Sequence, residues 1–271
     1  MTDDEPSDDA WDEDGWDEDG DDGGDDTVPF VYDANVAPGD EEMLPLLGHG
    51  SVELLGLMPW SSNGAYLVEV ELDGLHAPAV YKPEEGEQPL WDFPSGLWRR
   101  EVAAFELGRA LGLDLVPPTV ARHDAPAGPG SLQAFVPARF EHHYFTLRDD
   151  PTHGRTFREL CAFDLVANSA DRKAGHCLVD ASDRVWAIDN GLTFHVEFKV
   201  RTVLWDFAGE ALPGELADAL ARFLDEGPPP ALGVLLDQDE VDATTHRARA
   251  LLSTARFPHD PSGRRYPWPL V

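Results

Sequence analysis

The chain has 271 residues, 42% of them hydrophobic, and sets 20 basic side chains against 52 acidic ones for a formal net charge of −32. That length and apolar content suffice for one large domain or two lobes with a real core, whereas so acidic a balance disfavours nucleic acid, whose phosphates need a basic face. No apolar run nears the ~20 residues of a membrane-spanning helix, no charged and apolar leader is evident, and Cys161 and Cys177 sit in apolar surroundings as buried reduced thiols do, so the expectation is a cytoplasmic protein with no stable membrane association.

Residues 1–26 hold 15 Asp or Glu and no Lys or Arg, leaving −17 on the other 245 residues. So little apolar surface cannot offset the entropy of ordering, and a disordered acidic tail and linker is expected over residues 1–42. Trp11 and Trp16, in the near-repeat WDEDGWDEDG, either anchor a basic protein partner or belong to a solvated, solubilising tail.

From Met43 the texture changes. In AYLVEVEL, Tyr66, Val68, Val70 and Leu72 alternate with Leu67, Glu69 and Glu71, the period of a half-buried strand. The turn SSNG precedes it. After Asp73-Gly74, APAVYK reads as the second strand of a hairpin, with Val80 and Lys82 on one face. A loop rich in Pro, Glu and Trp leads to LWRREVAAFELGRALGL, where Ala103, Leu107, Ala110 and Leu111 form a helical stripe stopped by Gly112, with Glu101 in the first turns. SLQAFVP is a further strand ending at Pro137, which completes a small mixed lobe over 43–137.

The remainder, 138–271, reads as a mainly helical lobe. Thr156 and Glu159 have capping-box spacing, and LCAFDLVA, Leu160 to Ala167, is apolar on nearly every side, as in a buried helix. NSADRKAGH ends that helix. HCLVD and RVWAID then flank ASDR as a hairpin, and a turn centred between Ser182 and Asp183 would set His176 opposite Asp189. Helices are expected over 214–224 and 239–255, before the Pro-rich end YPWPLV. Asp164 reads as a satisfied buried acid, Asn168 as the helix end, and Arg172 as a neutraliser of nearby carboxylates.

Taken alone, ADRKAG is a solvated loop, Lys82 a surface lysine and Glu101 a charge favoured by the helix dipole. Their order says more. Phosphoryl transfer needs cations on the phosphates, metal ligands, and an acid that orients the acceptor hydroxyl. Kinase-type catalytic loops supply an Asp, a metal ligand five residues on, and a second metal-binding Asp before Gly after a hairpin. Asp171, His176 and Asp189 of IDNG stand in that order, and Lys82 with Glu101 stand where a phosphate-binding lysine and its ion-pair partner are expected.

On the segments SSNGAY, VYKP, REVAAFELGRALGL, LVPPTV, LQAFVP, NSADRKAGH and AIDNGLTFH, spanning about residues 45 to 210, the chain resembles the phosphatidylinositol 3- and 4-kinase-like family, particularly its small bacterial members. The resemblance implies an α+β, two-lobed protein-kinase-like fold with ATP between the lobes. It implies adenine against the backbone near Gln133 to Val136, phosphates under Ser61, Ser62 and Asn63 and beside Lys82, and Mg2+ or Mn2+ at His176 and Asp189. Asp171 is the implied catalytic acid-base group. His176 replaces the family's metal-binding Asn and Asn190 the Phe of protein kinases. His176 is then either a ligand that favours Mn2+ over Mg2+, or off the metal and bonded to Asp171 or a phosphate. The expected activity is ATP-dependent phosphoryl transfer to an unidentified hydroxyl acceptor, a protein or small molecule in preference to an anionic lipid surface that so acidic a chain repels. The alternatives are a nucleotide-binding regulator with an impaired site, and a metal hydrolase using His176, Asp171 and Asp189.

Overall fold

The computed structural model describes residues 33–58 and 64–271. Residues 1–32 of the expected tail, with Trp11 and Trp16, and the turn residues Ser61, Ser62 and Asn63 lie outside them, whereas residues 33–42, expected as part of the disordered tail and linker, are described and bury Val36 in the core of the sheet. In chain order the elements are α1 (Met43–His49), β1 (Ser51–Leu57), β2 (Tyr66–Leu72), β3 (Leu75–Pro83), α2 (Leu97–Leu111), β4 (Thr119–Arg122), β5 (Gly130–Ala134), α3 (Tyr144–Leu147), α4 (Gly154–Ala167), β6 (Cys177–Val179), β7 (Val185–Ala187), α5 (Gly214–Glu226), α6 (Pro230–Leu235) and α7 (Gln238–Thr254). The fold is α+β, with an antiparallel sheet ordered β1-β2-β3-β5-β4 followed by helices and the small pair β6-β7.

The hairpin β2–β3 pairs Leu72 with Leu75. Asp73 and Gly74 both have positive φ, 51° and 81°, the two-residue turn whose twist matches that of the flanking strands. Strand alternation puts Ala77, Ala79 and Tyr81 of β3 into a core shared with Val68 and Val70 of β2 and with Met43, Leu46 and Leu47 of α1. Lys82 therefore emerges on the other face, at the strand's end. Beside it β5 comes unusually near, for a Cβ at Gly130 would lie 2.4 Å from the Lys82 carbonyl oxygen. Only a residue without a side chain permits that approach.

A second core gathers Leu160, Phe163 and Val166 of α4 with residues of α5 and α7, and it also takes in Ala103, Ala104, Leu107 and Leu111 of α2. Of the predicted stripe on α2, Ala103, Leu107 and Leu111 are buried there and Ala110 packs against them partly buried, and Gly112, at φ 66°, caps the helix in the left-handed region. Asn168, at φ 60°, does the same for α4. Its buried amide then donates to the carbonyls of His195 and Glu197, each at 2.7 Å.

Two local expectations are corrected. Helix α4 starts at Gly154 without a side-chain cap, so Thr156 lies inside the first turn, and Glu159 instead accepts from Arg155 four residues earlier, at 2.8 Å. In the second hairpin Cys177 pairs with Ala187 and Val179 with Val185. The pairing centres the loop on Ser182, with Asp183 left-handed at φ 65°, rather than between Ser182 and Asp183 as expected of a loop made by ASDR alone. His176 thus stands opposite Ile188, whose amide donates to its carbonyl at 3.0 Å.

Cys161 and Cys177 are free and buried. Among the described residues no helix is long and apolar enough to cross a membrane.

Candidate active site

Although the register is one residue off, His176 and Asp189 still meet. Strand β7 ends at Ala187, and Asp189 just beyond it takes a left-handed conformation, φ 57°. Its Oδ2 lies 3.4 Å from His176 Nε2, and its Oδ1 accepts from Lys82 Nζ at 2.9 Å. Lys82 also donates to Glu101 Oε1. The other oxygen of Glu101 accepts the backbone N–H of Asn190 at 2.9 Å. One carboxylate on α2 thereby joins the end of β3 to the turn after β7.

Lys82, Glu101 and Asp189 face an open cleft whose walls also include Asp171, Lys173 and Gly191. Asp171 sits in the loop that follows α4, with Lys173 Nζ 3.2 Å from its Oδ2. The sequence has just three lysines, Lys82, Lys173 and Lys199. Two line the cleft, and Lys199 pairs with Asp92 at 2.8 Å, tying the segment after Asp189 to the loop before α2.

Electrostatics separate the two aspartates. Asp189 is held far below the usual carboxylate range, chiefly by Lys82 and then by His176. Burial raises the Asp171 carboxyl, and Lys173 offsets part of that rise. Burial pulls on the Lys82 ammonium as well, but Asp189 and Glu101 outweigh it and keep the charge in place. His176 is pushed down to about 4 by burial, against the pull of Asp189, so the ring is neutral near pH 7. Its Nδ1 accepts from the Lys173 N–H at 3.4 Å, which leaves the ring proton on Nε2, facing Asp189.

Behind the cleft lies a buried support. Arg172, fully buried, directs Nε to Asp164 at 3.1 Å, Nη1 to the Ile188 carbonyl at 2.6 Å and Nη2 to Asn190 Oδ1 at 2.6 Å. Thr202 donates to Asp164 at 2.9 Å. The reading of Asp164 as a satisfied acid and of Arg172 as its neutraliser agrees with this geometry, and Asn190 proves to be the third member.

The structure thus brings Lys82, Glu101, Asp171, His176 and Asp189 together. Gln133 and Val136 are not on this part of the cleft: both are buried, and Gln133 Nε2 donates to Thr119 at 2.8 Å. Two contributors went unseen in the sequence. Glu87 accepts from the Gly96 and Trp98 amides at 2.8 and 2.6 Å, capping α2, and Arg100 pairs with Glu240 across 140 positions. Helix-start rules look three residues back, not nine, and no local pattern marks the second pair.

Among the described residues no group of three or more His, Cys, Asp or Glu side chains could hold a metal ion. That donor set is still compatible with a nucleotide-borne cation, because Mg2+ commonly takes one or two protein carboxylates and completes its shell with phosphate oxygens and water. Asp189 is the half-exposed carboxylate available for it.

No protein-family model matches the chain. The structure of hydra Fam20 with sugar aligns with 78% of this chain and 86% of its own at a TM-score of 0.56 and 14% identity, a likeness of fold. The Helicobacter pylori proinflammatory kinase CtkA aligns more loosely, over 75% of this chain and 97% of its own, at a TM-score of 0.42 and 12% identity. Protein Rv2133c of Mycobacterium tuberculosis (strain ATCC 25618 / H37Rv) is 34% identical over 265 residues, which cover 83% of this chain and 94% of the relative. The chain belongs to the family of Rv2133c.

Proposed function

We propose that this chain is an ATP-dependent phosphotransferase of the phosphatidylinositol 3- and 4-kinase-like type, acting on a hydroxyl group of a soluble acceptor. The observation that carries the reading is the Lys82 ammonium, held between Glu101 of α2 and Asp189 in a cleft that Asp171 also lines. Lysine on a strand, glutamate on the next helix, an aspartate after a buried helix and another after a hairpin make up the working parts of phosphoryl transfer.

Each residue then has a task. Lys82 neutralises phosphate oxygens, and its two carboxylate partners hold it at the cleft wall. Asp189 offers a hard oxygen to Mg2+ or Mn2+, which when bound supplies charge neutralisation on the phosphates. His176 keeps its Nε2 proton on Asp189 and orients that carboxylate, rather than joining the metal itself. Asp171, the carboxyl that burial moves toward neutrality, orients the acceptor hydroxyl and takes its proton. The backbone near Gln133 to Val136 receives the adenine, and Ser61, Ser62 and Asn63 cover the phosphates.

A soluble acceptor, protein or small molecule, is favoured over a lipid. Lys199, which follows the Asp189 turn, is occupied by Asp92, and the chain's net charge of −32 repels anionic head groups. Incubation of purified protein with γ-labelled ATP and Mg2+ or Mn2+ tests the proposal, with a soluble metabolite fraction, a protein fraction or phosphatidylinositol vesicles as acceptor. Label should move to a soluble acceptor or to the protein, and not when Asp171 is replaced by Ala. Metal-dependent ATP binding without any transfer would instead support a nucleotide-binding regulator, and indifference to ATP would overturn the reading.

A further inference from the structure

We propose that the buried ion pair between Arg100 and Glu240 is a positioning clamp for the turn that carries Asp189. Arg100 lies on α2 and Glu240 in the first turn of α7, with side chains 4% and 9% exposed. The guanidinium forks: Nη2 donates to Glu240 Oε1 at 2.5 Å, and Nη1 donates to the Thr193 carbonyl at 2.7 Å. Glu240 is fixed in turn, because its Oε2 accepts the Asp237 N–H at 3.1 Å in the capping box of α7.

What this grip reaches is the turn 190–193. Glu101, the residue after Arg100, holds the first end through the Asn190 N–H. Arg100 holds the last end through the Thr193 carbonyl, and Thr193 Oγ1 closes the turn on the Asn190 carbonyl at 2.7 Å. Two consecutive side chains of one helix therefore hold both ends of the turn that directly follows Asp189. Replacing a buried ion pair by apolar groups is often neutral or stabilising, so net stability is a weak account of this one. A planar fork that meets two acceptors at once specifies geometry, which a lysine does not. Neither Arg100 nor Glu240 lines the cleft, and they act through the turn.

The catalytic consequence rests on the phosphotransferase reading, but the clamp itself is testable apart from it. In the charge-neutral double variant Arg100→Met/Glu240→Gln, where the new side-chain amide oxygen retains the capping acceptor, hydrogen exchange at the Asn190 amide should speed up at least tenfold while amides of α5 keep their wild-type rates. The Mg2+-dependent part of ATP affinity, read by calorimetry with and without Mg2+, should fall with it, and binding of metal-free ATP should change by less than threefold. If the double variant does not fold, Arg100→Lys, which keeps a charge for Glu240 but loses the fork, is read in the same way. Unchanged exchange at Asn190 in a folded variant would overturn the clamp. Wild-type protein that binds no Mg2+ and ATP would count against the phosphotransferase reading, and the exchange rates would still decide the clamp.

Discussion

Replacing Asp164 by Ala should be among the most damaging single changes available to this chain. Asp164 and Arg172 are both fully buried, so removing the carboxylate leaves a buried guanidinium without its counter-charge. Removing one partner of a buried pair costs about 3–5 kcal/mol, most of it the desolvated charge left behind. For a domain of this size each kcal/mol shifts the melting temperature by roughly 2–4 °C, so Asp164→Ala should melt roughly 6–20 °C below wild type. Calorimetry and circular dichroism, run together to check for a single transition, measure it. The double variant Asp164→Ala/Arg172→Met should regain much of the loss, since the stranded charge is also removed. It should not regain turnover, because the ties from Arg172 to Ile188 and Asn190 are absent. A single variant that melts within about 2 °C of wild type, or a double variant as unstable as the single, would show that Asp164→Ala strands no buried charge.

Other expectations concern the cleft. Asp171→Ala should lower turnover by roughly 10² or more with ATP affinity nearly unchanged; because burial raises this carboxyl, the wild-type rate should fall on acidification at a pH above the ordinary carboxylate range, and equal rates in the two proteins would remove Asp171 from the chemistry. Lys82→Met should weaken ATP binding by roughly 10- to 100-fold, the scale of a charge-assisted hydrogen bond, and calorimetric affinities within threefold of wild type would contradict the assignment. His176 is neutral in the folded chain down to about pH 4 but protonates near 6.5 when unfolded, so the unfolded state binds more protons between those values and stability falls as pH drops, by up to about 3 kcal/mol. His176→Asn should flatten that part of the profile in urea titrations at pH 7.5 and 4.5 and leave the preference between Mg2+ and Mn2+ unchanged; parallel profiles, or a shift toward Mg2+, would count against the neutral, metal-free imidazole.

Local chemistry made part of this molecule legible in its sequence. Period-two alternation with Asp73-Gly74 specifies the β2–β3 hairpin, and the apolar stripe closed by Gly112 specifies α2, because each signal lies within the residues that form the element. The order of Lys82, Glu101, Asp171 and Asp189 could also be read directly, and these four residues do converge on one cleft. Strand β1 was not legible: five of its seven positions are exposed continuously from Glu53, so no alternation marks it. The register of the second hairpin differs by one residue from the sequence expectation, since the length of its loop depends on Asp183 accepting a left-handed conformation, an option that asparagine and aspartate hold in many turns without using it. Tertiary structure alone decided how the site is held. Lys82 meets Asp189 across 107 positions and Arg100 meets Glu240 across 140, and each of these charges found its partner where packing left one. A charged side chain writes its need for a partner into the sequence, but the identity of that partner is a property of the folded chain, because burial makes the need costly and distance in space, not in sequence, meets it.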